Sequence, residues 1–160
     1  MVRQVRCGNL RRVTPPTSAS LPPMDEVLAS FSADNLIHRM GIEFVEMAPE
    51  RVVATMPVAG NTQVAGFLHG GASCVLAETL GSVGAFLHVW PGGLALGTDI
   101  NATHHRSTRA GVVTGVATAI SLGRTLTSHE VVISDEEGRR LCTARITNYV
   151  RAAGEPASTS

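Results

Sequence analysis

The chain has 160 residues, with thirteen basic and thirteen acidic side chains and a formal net charge of zero. That is the length of one domain, and it carries no net charge to draw in nucleic acid or an anionic membrane as a primary partner. All of the basic residues are arginine, which excludes lysine Schiff-base chemistry and leaves planar, bidentate anion recognition as the natural task of a functional cation. Cys7, Cys74 and Cys142 are scattered without C-x-x-C spacing, so no disulfide framework or zinc site is indicated, and a reducing cytoplasm fits.

Residues 1–24 are rich in Arg, Pro, Ser and Thr and show neither helical nor strand period. They read as a disordered tail or an over-extended translation start, with Met24 a plausible initiator. Arg3, Arg6, Arg11 and Arg12 are followed by no apolar run, so the segment is not a secretory signal. The folded domain is expected over 25–150, with 151–160 a frayed tail. In residues 25–39, Val27, Leu28, Phe31 and Leu36 fall at helical spacing and Gly41 stops the pattern. Ile42 to Met47 and Arg51 to Val58 read as strands joined by the Pro49-Glu50 turn.

After a loop over 59–68 comes a long apolar helix from Gly70 to Val89, ended by Pro91-Gly92-Gly93. It is long enough to span a bilayer. Glu78 near its middle would cost about 2.5–3.5 kcal/mol there, and His88 and four glycines add to the objection. The helix therefore reads as the buried centre of a soluble domain. The period then changes to two: 94–106, 112–122, 125–134 and 140–150 are strands divided by turn residues, Asp135-Glu136-Glu137-Gly138 among them. A helix that is apolar nearly all round must be covered nearly all round. The fold class is α+β, an antiparallel sheet of about six strands wrapped around one long central helix.

Chemistry concentrates in QVAGFLHGGASCVLAETLGS, residues 63–82. His69-Gly70-Gly71 stands where loop becomes helix, and the first helical N–H groups there lack intrahelical acceptors and are suited to holding an oxyanion. Glu78 and Ser82 share one helix face, four residues apart. A carboxylate in apolar surroundings favours a raised pKa or a hydrogen-bonded partner, and either suits a base or a nucleophile. Glu78 lies about 12 Å along the axis from Gly70, too far for one compact acyl group to touch both. Pairing the helix start of one subunit with Glu78 of a neighbour solves that problem. Cys74 reads as a small core residue rather than a nucleophile. His104 and His105, adjacent on a strand, face opposite sides and cannot share a metal ion.

Gln63, His69-Gly70-Gly71, Glu78 and Ser82 in this spacing closely resemble the hotdog-fold acyl-CoA thioesterases, and among them the 4-hydroxybenzoyl-CoA thioesterase type with a helix-borne glutamate. The resemblance continues through GTDINATHHRSTRAG (97–111) and SDEEGRRLCTARIT (134–147) and covers about 25–150. It implies a homodimer with a continuous sheet, or a homotetramer, with the site at the dimer interface. Gly70 N–H, supported by His69 and Gln63, would polarise the thioester carbonyl. Glu78 of the other chain would act as nucleophile or general base, and Ser82 would orient water or the carboxylate. His104, Arg106, Ser107, Arg109, Arg124 and Thr125 match regions that line the nucleotide end of CoA, where arginine forks suit phosphate. No metal and no separate cofactor is implied, since CoA belongs to the substrate. The acyl group is expected to be aromatic, with medium-chain aliphatic groups the alternative, and Phe67 and Phe86 are the lining candidates. Two rivals are a hotdog hydratase or dehydratase, whose motif contexts are absent here, and a non-catalytic acyl-CoA-binding module.

Overall fold

The computed structural model describes residues 23–29 and 34–154. Two short helices, α1 (Met24–Ala29) and α2 (Leu36–Arg39), precede strands β1 (Glu43–Met47) and β2 (Arg51–Pro57). The long helix α3 (Gly70–His88) follows, and then β3 (Leu94–His104), β4 (Val112–Leu122), β5 (Leu126–Ser134) and β6 (Arg140–Arg151).

The single helix expected over 25–39 is thus two. Asn35 accepts the His38 N–H at 2.9 Å and so starts α2 as a separate helix. Phe31 lies outside the described residues. Met24 opens α1 and Arg151 closes β6, so each belongs to the domain rather than to a tail. Most of both expected tails, 1–22 and 155–160, also lies outside the described residues.

All six strands pair antiparallel in the order β1-β2-β4-β5-β6-β3. This is the wrapped-helix arrangement of the hotdog fold. Alternate residues of β2, β4, β5 and β6, among them Met56, Val113, Ile133 and Ile146, point at α3 and are completely buried, as are Leu76 and Leu80 on the helix. Each such side chain contributes about 1.5–3 kcal/mol by leaving water. The helix comes very close to the sheet because it carries glycine at the contact points. A Cβ on Gly81 would lie 2.8 Å from the Ile146 Cβ, and one on Gly84 would lie 2.6 Å from His129 Nε2.

Two places are left open. By length and composition α3 could cross a membrane, yet the sheet encloses it except along one stripe: Val75, Thr79, Ser82 and Phe86 are half-buried and Glu78 is exposed. The second opening is β3, an edge strand of 11 residues that is exposed along most of its length, with Leu94, Leu96 and Ile100 open.

Candidate active site

The start of α3 is built by its own loop. Asn61 donates its amide to the Met40 and Pro57 carbonyls at 2.9 Å each, and its carbonyl accepts the His69 N–H at 2.9 Å. Gln63 N–H donates to Phe67 O at 2.8 Å, and Gln63 Oε1 accepts the Ala65 N–H at 2.6 Å. With its oxygen engaged, Gln63 presents an amide N–H₂. His69 is the helix N-cap: its Nδ1 accepts the Gly71 N–H at 2.8 Å. The ring proton therefore sits on Nε2.

The Ala72 and Ser73 N–H groups donate to His69 O. Gly70 N–H, by contrast, makes no hydrogen bond among the described residues and is free to hold an anionic oxygen at the positive end of the helix. His104 closes over this point, its Nε2 only 2.9 Å from where a Cβ on residue 70 would be, which explains the glycine. Gln63, Phe67, Gly70, His104, Arg106 and Ser107 border one cavity of about 570 Å³.

Glu78 and Ser82 border a different one. Leu36, Ile37, Val75, Val83 and Phe86 complete a largely apolar cavity of about 450 Å³, with Phe86 edge-on to Trp90 at 5.3 Å. Glu78 is exposed, so the dry surroundings expected from the sequence do not exist within one chain. Its carboxylate lies over β3, with Oε1 2.8 Å from the Cβ position of Gly97, beside a bulge between Gly97 and Asp99. Ser82 Oγ accepts the Asn148 Nδ2–H at 3.0 Å.

The two cavities share no lining residue. One chain therefore brings Gln63, His69, Gly70, His104, Arg106 and Ser107 together, and brings Glu78 and Ser82 together, but keeps the two groups apart. Arg124 and Thr125 lie elsewhere again. Their turn is at the C-terminal end of α3, where His88 Nε2–H donates to Gly123 O at 3.0 Å, a helix length of about 28 Å from Gly70.

Arg109, expected at a phosphate, is engaged with its own loop. Its guanidinium stacks 3.7 Å from the Phe67 ring centroid and donates to Ala65 O at 2.9 Å, bracing the 63–67 loop. Phe67 thus belongs to the helix-start cavity and Phe86 to that of Glu78.

Burial raises the Cys74 thiol pKa, with the Glu78 charge adding to it, and burial pushes Cys142 up to about 11. Neither thiol is primed as a nucleophile. His104 covers Gly70, whereas His105 Nε2 pairs with the Thr143 hydroxyl at 2.9 Å. Asn148 and Gly97, which the motif spacing does not single out, stand beside Ser82 and Glu78. The available signal for Asn148 was a polar residue at an inward position of β6, in the series Ala144, Ile146, Asn148, Val150, all buried.

Residues 65–142 match the family model described as the thioesterase superfamily. A proofreading thioesterase, EntH, of Cronobacter turicensis is 44% identical over 126 residues, spanning 78% of this chain and 92% of the relative. Among solved structures, a mutant of thioesterase PA1618 from Pseudomonas aeruginosa superposes with a TM-score of 0.77 at 38% identity, covering 83% of this chain and 96% of that one. Thioesterase HI1161 from Haemophilus influenzae gives 0.73 at 37% identity, covering 88% and 96%.

Proposed function

The chain belongs to the thioesterase superfamily and is a thioester hydrolase of hotdog fold, and from that premise we propose that it cleaves an aromatic acyl-CoA to the free acid and CoA at a site shared by two copies. The observation that carries this reading is the division of labour along α3. A free Gly70 N–H opens into one cavity, and an exposed Glu78 carboxylate stands about 12 Å away in another. Each is half of a hydrolytic site.

The exposed β3 edge supplies a way to join them. A long exposed edge strand that carries Leu94, Leu96 and Ile100 open calls for cover, and an isologous partner is the commonest kind. An antiparallel two-fold through Asn101 would set Gly97 of one copy opposite His104 of the other, because the bulge between Gly97 and Asp99 takes up the one-residue difference and leaves both on the same face. Glu78 lies over Gly97 and His104 over Gly70, so this register carries Glu78 toward the second copy's Gly70. The dimer would also dry the carboxylate that one chain leaves wet.

In such a site the thioester oxygen accepts from Gly70 N–H, with the His69 Nε2–H and Gln63 amide nearby. Glu78 either removes a proton from the attacking water or attacks the carbonyl carbon itself. The negative charge gathers on the oxygen held by Gly70, and its collapse breaks the C–S bond and releases CoA thiolate. In the first route the proton taken by Glu78 passes to the sulfur and the free acid leaves. In the second, water cleaves the acyl–Glu78 anhydride, restoring the carboxylate and supplying the proton that the thiolate takes up. No further cofactor is needed, because CoA enters with the substrate. Arg106, with His104 and Ser107, faces the mouth of the helix-start cavity and suits a CoA phosphate. Phe86 and its aliphatic neighbours suit a flat acyl group. Free thiols suit a reducing cytoplasm.

Mixing two inactive variants tests the shared site. Gly70→Pro removes the donor, and Glu78→Gln removes the carboxylate. Random exchange makes half the dimers mixed, each with one intact site, so about a quarter of wild-type thiol release should return. No recovery, with exchange shown by native mass spectrometry, would place the site within one chain. A panel of aromatic and aliphatic acyl-CoAs read by released thiol tests the acyl preference.

A further inference from the structure

We propose that Asn148 is a positioning residue for this reaction, setting the direction of the Ser82 hydroxyl so that its proton points toward the Glu78 carboxylate or the water beside it. The inference rests on the thioesterase reading above and assigns a task to a buried residue outside the recognised motif.

Asn148 is completely buried on β6 and donates its Nδ2–H to Ser82 Oγ at 3.0 Å. A hydroxyl has one proton, and when its oxygen accepts from an amide, that proton must go elsewhere. Glu78 is one turn back on the same helix face. The space left by Gly97 brings the groups into one neighbourhood, since a Cβ there would be 2.8 Å from Glu78 Oε1 and 3.9 Å from Asn148 Nδ2. An asparagine turned end for end would present Oδ1 instead. Ser82 would then donate inward, and its proton would be lost to the site.

Thr127 supplies a reason for the observed orientation. It is the Cα partner of Asn148 across β5 and β6, and only 1% exposed. Its hydroxyl and Asn148 Oδ1 are two of the buried polar atoms without a hydrogen-bond partner among the described residues. Buried polar groups seek partners. The two atoms do not bond each other directly, but the register places the Thr127 O–H as a donor for Oδ1 through one water, which favours Nδ2 as the end that faces Ser82.

The test measures kcat, KM and melting temperature for Asn148→Ala, Asn148→Asp and Thr127→Val, each alone and combined with Ser82→Ala. Asn148→Ala should lower kcat about 10²-fold, the scale of a misplaced catalytic group, with KM changed by less than about threefold. Combined with Ser82→Ala it should cost no more than about a further twofold, because the two act as a unit. Asn148→Asp, the same shape without the donor, should do at least as much harm as Ala. Thr127→Val, nearly isosteric, should cost a smaller factor that also vanishes with Ser82→Ala. Losses that persist undiminished in the Ser82→Ala protein, or that move kcat and KM together with melting temperature, overturn the inference. Should Asn148→Ala fail to fold, the coupling of Thr127→Val to Ser82→Ala decides. An inactive Glu78→Gln with uncoupled Asn148 variants removes this inference alone, whereas an active Glu78→Gln removes the reading beneath it.

Discussion

The first turn of α3 and its middle differ in how they are finished. At the start, Asn61, Gln63, His69 and Arg109 form a set of local hydrogen bonds and a stacking contact that leaves the Gly70 N–H, the Gln63 amide N–H₂ and the His69 Nε2–H without a partner among the described residues. In the middle, Glu78 stands in water over the sheet edge, with only Ser82 beside it tied down from behind by Asn148. A group that must donate to a developing charge can be preorganised within one chain. Burying a carboxylate alone is costly, so under the proposed function Glu78 would gain its cover from the second copy.

The sharpest way to break this comparison is Glu78→Gln, which keeps the shape and removes the base. It should lower kcat about 10³-fold, within the range expected for losing a positioned acid or base, as followed by thiol release. The helix start is probed by comparing Gly70→Pro with Gly70→Ala. Both add a Cβ against His104, but only proline lacks the N–H, and His69 at φ −70°, ψ 132° already has the extended backbone that precedes proline. Proline should be about 10²-fold slower than alanine, the measure of one lost oxyanion donor. Equal rates would show that the donor is elsewhere.

Arg109→Ala tests whether the bracing matters. It removes the stack on Phe67 and the bond to Ala65 O, and should raise KM severalfold while lowering stability by about 0.5–1 kcal/mol in a denaturant titration. A larger effect on kcat than on KM would assign Arg109 a part in the chemistry.

The smallest effect lies behind the helix. His129 is fully buried, and burial lowers its pKa against the opposing hydrogen bond to Pro49 O. The unfolded chain takes up a proton near pH 6.5 while the folded chain resists, so unfolding binds protons and stability falls as pH drops below about 6.5 toward the folded-state value. Denaturant midpoints measured from pH 7.5 to 5 should decline, and His129→Gln should flatten the slope.

The fold was readable wherever one period ran unbroken. Val112–Leu122 matches β4 at both ends, and Gly70–Val89 overruns α3 by one residue. Local chemistry with no period was harder to read. Asn35 splits the first helix in two by a single cap, and nothing in the apolar spacing reports that. In the site, the donor and the carboxylate were visible because their spacing on one helix is short and regular. The role of Arg109 was not, because Phe67 reaches it only after the 63–67 loop folds back. The exposure of Glu78 depends on where the sheet stops, and the partnership of Asn148 with Ser82 joins positions 66 residues apart. Such contacts belong to register rather than to neighbouring sequence.

The enclosed helix also limits how the chain tolerates insertions and deletions. Each residue of α3 turns the helix by about 100°. Losing one residue between Gly70 and Glu78 would swing the carboxylate off the open stripe and into the packed interior beside Leu76 and Leu80. A surface turn is the usual place for a change of length, but the eight-residue step from Gly70 to Glu78 is fixed by the helix. Under the proposed function, acyl preference would change by replacing residues that line the Glu78 cavity in place, Val75, Thr79 and Phe86 among them, with the length of the helix untouched.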